Sequence, residues 1–283
     1  MHEISVLKKF LDFPINSVGE IFDEFKTIEG HIFREKNTRS KKRFLYVEGK
    51  RENKVLLVAH ADTYFDKGYF SEKHAVVEDN GILKAIDENG KPQLLGADDR
   101  AGVAMLWLLK DSGHSLLITD SEEDGRIASK WLMKENRDIA EKINQRHQFI
   151  IQLDRCNGRE FKCYKVGTPA FRAFITEQSG YTEPDFGAKT DICSLCNDIC
   201  GVNFSIGYYD QHSDYESLNI NEWLNTLNLV KKILAIENLP KFHLPALFTF
   251  CFAHESFNVT VRLNTNLSLV VSRSKQKYPK RSN

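Results

Sequence analysis

The segment KVLLVAHAD, residues 54–62, joins an apolar run to a polar end. A run that is apolar at nearly every position is typical of a strand buried on both faces, as in the centre of a parallel sheet. In open α/β sheets the active site lies beyond the carboxyl ends of the strands. The segment therefore predicts a central strand that delivers His60 and Asp62 to a functional site.

Similar polar clusters occur in four later stretches of the chain. These stretches are GADDRAG at 96–102, SLLITDSEED at 115–124, HQFIIQLD at 147–154 and YYDQHSD at 208–214. They contribute Asp98, the pair Glu122 and Glu123, Asp154 and His212. Because the carboxyl ends of parallel strands share one edge of a sheet, we expect these side chains at a single site.

Strands and helices alternate through the middle of the chain. Apolar residues at helical spacing mark VAMLWLLK at 103–110 and IASKWLMKENRDIAEKINQ at 127–145, on either side of the strand SLLITD. Such alternation predicts an α/β fold with three α/β/α layers and a mostly parallel central sheet.

The flanking segments carry local signals as well. We expect two short helices between residues 3 and 27, and paired strands at 43–48 and 54–60 joined by the turn GKREN. A hairpin excursion is expected between 74 and 95, at the turns Asn80-Gly81 and Asn89-Gly90. Residues 1–240 are assigned to a single catalytic domain without a lid insertion. We expect residues 241–283 to form a tail of β-like segments followed by a basic, disordered end. The sequence leaves open whether this tail is an extra hairpin, a disordered end or a lineage-specific addition.

The charge balance argues against a nucleic-acid or membrane partner. The chain of 283 residues has 39 basic and 39 acidic side chains, so its formal net charge is zero. No strong field then favours a polyanion or an anionic membrane. The N-terminal segment MHEISVLKKFLDF has charges within its apolar stretch, which favours an amphipathic helix over a signal peptide. With no apolar run long enough to span a bilayer, these features predict a cytoplasmic protein that acts on a small substrate.

The order of the polar clusters resembles a known enzyme family. The succession AHAD, GADDRAG, SEEDG, QLDR and QHSD is similar to that of the two-zinc exopeptidases of metallopeptidase clan MH. Five clusters in the same order make the resemblance specific. The intervals from His60 to Asp98 and from Asp154 to His212 are too short for the inserted domains of the glutamyl aminopeptidase and peptidase T groups. The layout is closest to the leucyl aminopeptidase and glutamate carboxypeptidase type, from which the Asp-Asp-Arg context departs.

The resemblance implies a ligand role for five residues. Asp98 would bridge two zinc ions, with cobalt or manganese as alternative metals. Glu123 and His212 would complete one site, and His60 and Asp154 the other. His243 and His254 also lie downstream and are alternatives to His212 as the last ligand.

The resemblance also implies supporting roles around the metals. Asp62 would orient the imidazole of His60, and Glu122 would be the general base that takes a proton from the activated water. A cis peptide bond is expected between Asp98 and Asp99, with Asp99 bonded to a ligand histidine. Tyr208 or Tyr209 is the candidate donor to the tetrahedral oxyanion.

The implied reaction is removal of a terminal residue from a small peptide by a water that two zinc ions activate. An N-acyl amino acid amidohydrolase uses the same apparatus and stays open as an alternative. A catalytically silent binding domain and a one-zinc cyclising transferase of the glutaminyl cyclase type also stay open. The absence of a lid domain favours a monomer.

Three cysteines have a spacing that the family pattern does not explain. Cys193, Cys196 and Cys200 follow the spacing of a zinc knuckle, since thiolates bind zinc tightly. The lack of a fourth ligand at a matching interval favours buried free thiols near the pocket instead.

Overall fold

The computed structural model describes residues 2–37, 42–64, 74–245, 247–250, 257–263 and 269–275. They fall into two units, Met1–Phe242 and His243–Asn283. In the second unit, three strands form an antiparallel sheet. The basic end at 276–283, for which the sequence predicts disorder, lies outside the described residues.

The secondary structure alternates between helices and strands. The helices are α1 (His2–Leu11), α2 (Val18–Phe25), α3 (Ala97–Leu109), α4 (Ile127–Glu135), α5 (Arg137–Arg146), α6 (Pro169–Ser179), α7 (Ile192–Leu195) and α8 (Ile220–Leu234). The strands of the first unit are β1 (His31–Lys36), β2 (Lys42–Val47), β3 (Lys54–His60), β4 (Ala75–Asp79), β5 (Ile82–Ile86), β6 (Pro92–Gln93), β7 (Ser115–Thr119), β8 (His147–Arg155), β9 (Phe161–Lys162), β10 (Gly201–Ser205), β11 (Tyr208–Tyr209) and β12 (Ser217–Asn219). Those of the second unit are β13 (Leu247–Phe250), β14 (Phe257–Leu263) and β15 (Leu269–Lys275).

A central sheet in the order β1-β2-β7-β3-β8-β10-β9 organises the first unit. The four middle strands β7, β3, β8 and β10 run parallel to one another, whereas the outer pairs are antiparallel. Helices α1, α3 and α8 cover one face, and α4, α5 and α7 cover the other. The predicted three-layer α/β/α architecture with a mostly parallel central sheet is therefore confirmed.

Burial on both faces explains the composition of the middle strands. From Val55 to Ala59, every side chain of β3 is fully buried, and so are the apolar residues of β7. Each buried Val, Leu or Ile side chain contributes about 1.5–3 kcal/mol relative to an exposed one. The apolar runs therefore fix which strands lie in the centre, and with them the edge at which His60 emerges.

The predicted pairing of strands 43–48 and 54–60 with each other is wrong, because β7 lies between them. β2 pairs with β7 in antiparallel orientation, and β3 pairs with β7 in parallel orientation. The GKREN connection passes over the start of β7, where the Arg51 N–H donates to the Gly113 carbonyl at 3.0 Å. Neighbouring strands are only about 4.8 Å apart, so a connection of this length can step over one of them.

The two N-terminal helices and the hairpin turn are present as predicted, whereas one predicted helix is divided into two. Helices α1 and α2 flank Pro14, and β4 and β5 are joined at Asn80-Gly81, where both residues have positive φ (49° and 79°), as a type I′ turn requires. The single helix predicted for 127–145 is two helices, because Asn136 leaves helical geometry at φ −117° and ψ 58°. Its side-chain amide bonds the Trp131 carbonyl and Arg34, which competes with continuation of the helix.

Two buried histidines predict how stability depends on pH. His147 Nε2 lies 2.8 Å from the Ser115 hydroxyl, and Nδ1 lies 3.0 Å from the Ile143 carbonyl. His114 Nδ1 accepts from the Val55 N–H at 2.9 Å. Burial lowers the pKa of each histidine to about 4, so the folded protein holds both in the neutral form.

We therefore expect the free energy of unfolding to fall as the pH decreases from about 6.5 towards 4. In that interval the unfolded chain binds protons at His114 and His147 that the folded chain does not bind. The loss amounts to at most about 3 kcal/mol for each residue. Urea denaturation at pH 7 and pH 4.5 measures it. His147→Gln should reduce the difference between the two pH values, whereas His2→Gln, at an exposed position, should not; equal pH dependence in wild type and His147→Gln would contradict the assignment.

Among the described residues, no helix has the length and apolar character needed to cross a membrane.

Candidate metal centre

Five elements bring the predicted site residues to one edge of the central sheet. His60 is the last residue of β3, Asp154 lies at the end of β8, and Asp98 lies at the start of α3. Glu123 follows β7, and His212 lies between β11 and β12. The carboxyl ends of parallel strands thus deliver side chains from distant parts of the chain to one place.

The five side chains form two groups that share Asp98. His60 Nε2 lies 3.2 Å from Asp98 Oδ1 and 3.2 Å from Asp154 Oδ1. His212 Nε2 lies 2.8 Å from Glu123 Oε1 and 3.4 Å from Asp98 Oδ2. Within each group the potential ligand atoms lie within 4.8 Å of one another. The two oxygens of Asp98 therefore face different groups.

The residues fit a pair of divalent cations. Asp98 Oδ1 is buried and accepts no hydrogen bond from the described residues, although a histidine nitrogen lies nearby. Each group offers one imidazole nitrogen and two carboxylates, the N/O donor set that suits zinc and also cobalt or manganese. A carboxylate shared between two such groups can bridge two ions.

Charge interactions within the groups shift the pKa values of their members. Burial lowers the pKa of His60, but the carboxylates of Asp154, Asp62 and Asp98 outweigh this effect and raise it well above its usual value. Hydrogen bonds to Asp98 and Glu123 raise the pKa of His212 to about 10. Because ligand imidazoles must be neutral, metal binding at these groups would release protons.

The cis peptide bond predicted between Asp98 and Asp99 is present. The buried carboxylate of Glu216 accepts from the N–H groups of Gly96 and Asp98 at 2.6 and 3.0 Å, which fixes the loop. Asp99 Oδ2 accepts from the backbone N–H of His60 at 3.0 Å. The predicted contact of Asp99 with a ligand histidine is thus made to the main chain rather than to the ring.

Asp62 contacts both the histidine and the acidic pair. Its carbonyl oxygen lies 2.9 Å from His60 Nδ1, whereas its carboxylate oxygen lies 3.4 Å from the same nitrogen. The carboxylate instead accepts from the backbone N–H groups of Glu122 and Glu123, each at 3.1 Å. Asp62 therefore holds the orientation of the imidazole mainly through its main chain, and the acidic loop through its side chain.

Glu122 lines the cavity beside the two groups. Burial raises its pKa to about 9, helped by the negative charges of Asp154, Asp191 and Glu123 and opposed by His60. A carboxyl group with a raised pKa has a high affinity for a proton. At this pKa the carboxyl is protonated at neutral pH in the metal-free protein. Cations held by the two groups would lower the pKa, and the resulting carboxylate would then accept a proton from a reacting group in the cavity.

The cavity has a volume of about 420 Å³ and is open to the ligand groups. Of the two candidate tyrosines, Tyr208 lines the cavity and its hydroxyl donates to the Asp154 carbonyl at 3.3 Å. The Tyr209 hydroxyl donates to Glu222 at 2.7 Å and is not among the lining residues. Tyr208 is therefore the better placed of the two.

Three polar residues that the sequence did not single out hold Asp154. Gln152 Nε2 and the Thr190 hydroxyl donate to Asp154 Oδ2 at 2.8 and 2.5 Å. Asn203 Oδ1 accepts from the Asp154 N–H at 3.0 Å. Gln152 interrupts the apolar run of β8, and this interruption could have identified it from the sequence. The sequence contains no comparable indication for Thr190 or Asn203.

Among the described residues, no alternative ligand belongs to either donor group. His243 belongs to neither donor group, and His254 lies outside the described residues. Cys196 and Cys200 are buried and Cys193 is half-buried, all three as free thiols. Within the described part of the chain, no group able to hold a metal includes them, and burial raises the pKa of each thiol.

Known peptidases share this fold. No protein-family model and no curated protein matches the sequence. The chain is similar to a tripeptidase from Staphylococcus aureus, with 12% identity and a TM-score of 0.57 over 83% of this chain and 98% of that one. It is also similar to the aminopeptidase PepT from Bacillus cereus, with 12% identity and a TM-score of 0.54 over 81% and 96% of the two chains.

A third similar structure is the TET1 peptidase of Pyrococcus horikoshii, which can assemble into a tetrahedron or a large octahedral shell. The identity is 14% and the TM-score 0.52, over 82% of this chain and 99% of that one. At these identities the likeness shows the fold alone. These peptidases have the fold that the resemblance implies, whereas membership of clan MH and the leucyl aminopeptidase or glutamate carboxypeptidase subtype stay predictions.

Proposed function

We propose that the protein is a metal-dependent hydrolase that removes a terminal residue from a small peptide. The observation that carries the proposal is the pair of donor groups that share Asp98, with Glu122 beside them in one cavity. Structures with the same fold are named as a tripeptidase and as aminopeptidases, which supports a peptide as substrate.

His60 and Asp154 would hold one divalent ion, Glu123 and His212 the other, and Asp98 both. When bound, such ions polarise an amide carbonyl and lower the pKa of water, which supplies a nucleophile at neutral pH. Zinc is the metal proposed first, on the N/O donor set.

The chain's own residues complete the mechanism. Glu122 takes the proton of the attacking water and passes it to the leaving amine. The Asp62 carboxylate accepts a hydrogen bond from the backbone N–H of Glu122 and so holds Glu122 in place. The Tyr208 hydroxyl, at the wall of the cavity, would turn from the Asp154 carbonyl to donate its one hydrogen bond to the oxyanion of the tetrahedral intermediate.

Hydrolysis by the reconstituted protein tests the proposal. After incubation with zinc, cobalt or manganese, the protein is assayed on aminoacyl p-nitroanilides, dipeptides, tripeptides and N-acetyl amino acids. We expect release of a terminal residue from peptides, loss of activity with a chelator and recovery on adding the metal. Hydrolysis of N-acetyl amino acids alone would favour the amidohydrolase alternative. No hydrolysis by metal-loaded protein would favour the silent binding domain.

The similar structures do not support the monomer that the sequence predicts. The large assemblies of the TET1 peptidase do not fit a monomer, although they describe that protein and not this one.

A further inference from the structure

One wall of the cavity beside the donor groups carries a fixed guanidinium. Arg155 follows Asp154 in the chain, lines the cavity and has a side chain only 10% exposed. Its Nε and Nη2 donate to Glu160 Oε2 at 3.2 and 2.7 Å, and Asn157 donates to the same oxygen at 3.2 Å. These bonds fix the plane of the guanidinium. Its remaining nitrogen, Nη1, has no hydrogen-bond partner among the described residues.

The loop at 183–190 brings a second cation to the same wall. Lys162 anchors the loop by donating to the carbonyls of Pro184 and Asp185, and the Thr190 hydroxyl anchors its other end on Asp154. Lys189 lies between these anchors, lines the cavity and is exposed. Within the described part of the chain, its ammonium forms no ion pair. Since Glu160 balances the charge of Arg155, Lys189 supplies the net positive charge of this wall.

A glycine lies beside the guanidinium nitrogen that Glu160 leaves unbonded. A Cβ on Gly187 would lie 3.1 Å from Arg155 Nη1 and 3.3 Å from Tyr164 Cε1. Any side chain at position 187 would therefore crowd the one nitrogen that Glu160 does not occupy. The glycine therefore leaves the space beside Nη1 free of a side chain.

We propose that Arg155 and Lys189 form a carboxylate-binding subsite that selects substrates with an anionic group close to the amide to be cleaved. The inference rests on the proposed function, because it names the substrate class of that site. A guanidinium N–H and an ammonium bind a carboxylate through charge-assisted hydrogen bonds, which are stronger than neutral ones. The carboxylate belongs either to an acidic side chain or to the α-carboxylate of a short substrate.

Two matched pairs of peptides distinguish these sources. Leucyl-glycine and leucyl-glycinamide differ only in the α-carboxylate, and glutamyl-glycinamide and glutaminyl-glycinamide differ only in the side-chain carboxylate. We expect kcat/KM of the metal-loaded enzyme to be at least about 10-fold higher for the charged member of one pair. The pair that shows the preference identifies the source of the carboxylate.

Three variants assign the preference to the subsite. Arg155→Gln should lower kcat/KM for the charged peptide by about 10- to 100-fold, mainly through KM, and change the neutral peptide little. Gly187→Ala should act in the same direction with the ion pair to Glu160 intact. Lys189→Gln should cost about 2- to 5-fold, since an exposed charge is screened. The matched control is Lys134→Gln, an exposed lysine on α4.

Equal kcat/KM for charged and neutral members of both pairs would overturn the subsite, as would variants that lower both members equally. If the metal-loaded wild type cleaves none of the four peptides, the proposed hydrolysis fails on its own. Calorimetric titration of the same uncleaved peptides then tests the subsite: tighter binding of a charged member, lost in Gly187→Ala, supports it, and equal affinities overturn it.

Discussion

Replacing Glu122 with glutamine is expected to lower kcat by a factor of about 10² to 10⁴, with little change in KM or in bound metal. Glutamine has nearly the shape of glutamate but cannot accept a proton. Glu122 lines the cavity, and its backbone N–H is fixed by Asp62 at 3.1 Å, so the variant side chain should occupy the same position. The expected effect therefore falls on the chemical step.

Steady-state kinetics on the best peptide of the panel, together with metal analysis, measure this effect. Asp124→Asn is the matched control, because Asp124 is close in the chain but exposed. Near wild-type kcat in Glu122→Gln would show that another group moves the proton. A loss of bound metal in the same variant would instead place Glu122 among the ligands.

Replacing Asp98 with alanine is expected to remove most of the bound metal and to lower activity by about 10³-fold or more. Asp98 is the one residue common to both donor groups, with Oδ1 towards His60 and Oδ2 towards His212. Its loss weakens both ion sites at once, and several kcal/mol of transition-state stabilisation are lost with them.

Variants at the unshared ligands sharpen this prediction. Glu123→Ala and Asp154→Ala should each lower the metal content by about one ion per chain, whereas Asp98→Ala should lower it by more. Asp214→Asn, an exposed carboxylate after His212, is the control. Plasma mass spectrometry on dialysed protein gives the content, and circular dichroism confirms folding. Retention of two ions by folded Asp98→Ala would contradict the bridging role.

The centre of the fold could be predicted from the sequence, because the apolar pattern of the strands agrees there with their burial in the folded sheet. The central positions of β3 and β7 are all apolar, since helices cover both faces of the sheet. Polar side chains at the ends of such strands have one edge to share, and the structure brings His60, Asp154 and Asp98 together there. The turn at Asn80-Gly81 could be predicted from two residues alone, because both adopt the positive φ that the turn requires.

Features that depend on tertiary contacts could not be predicted from the sequence. The order of β2 and β3 around β7 depends on which edges meet, and strand composition does not encode it. Glu216 reaches the Asp98 loop only in the folded chain, as Thr190 reaches Asp154. Arg155 was visible beside a predicted ligand, but its free nitrogen follows from the contact with Glu160.

Metal stoichiometry of the wild-type protein tests the central claim most directly, namely that five side chains hold two divalent ions across a shared aspartate. The protein is stripped with a chelator, reconstituted with zinc, dialysed and analysed for zinc and protein concentration. The predicted result is two tightly held ions per chain. One ion or none after reconstitution of folded protein would contradict the account.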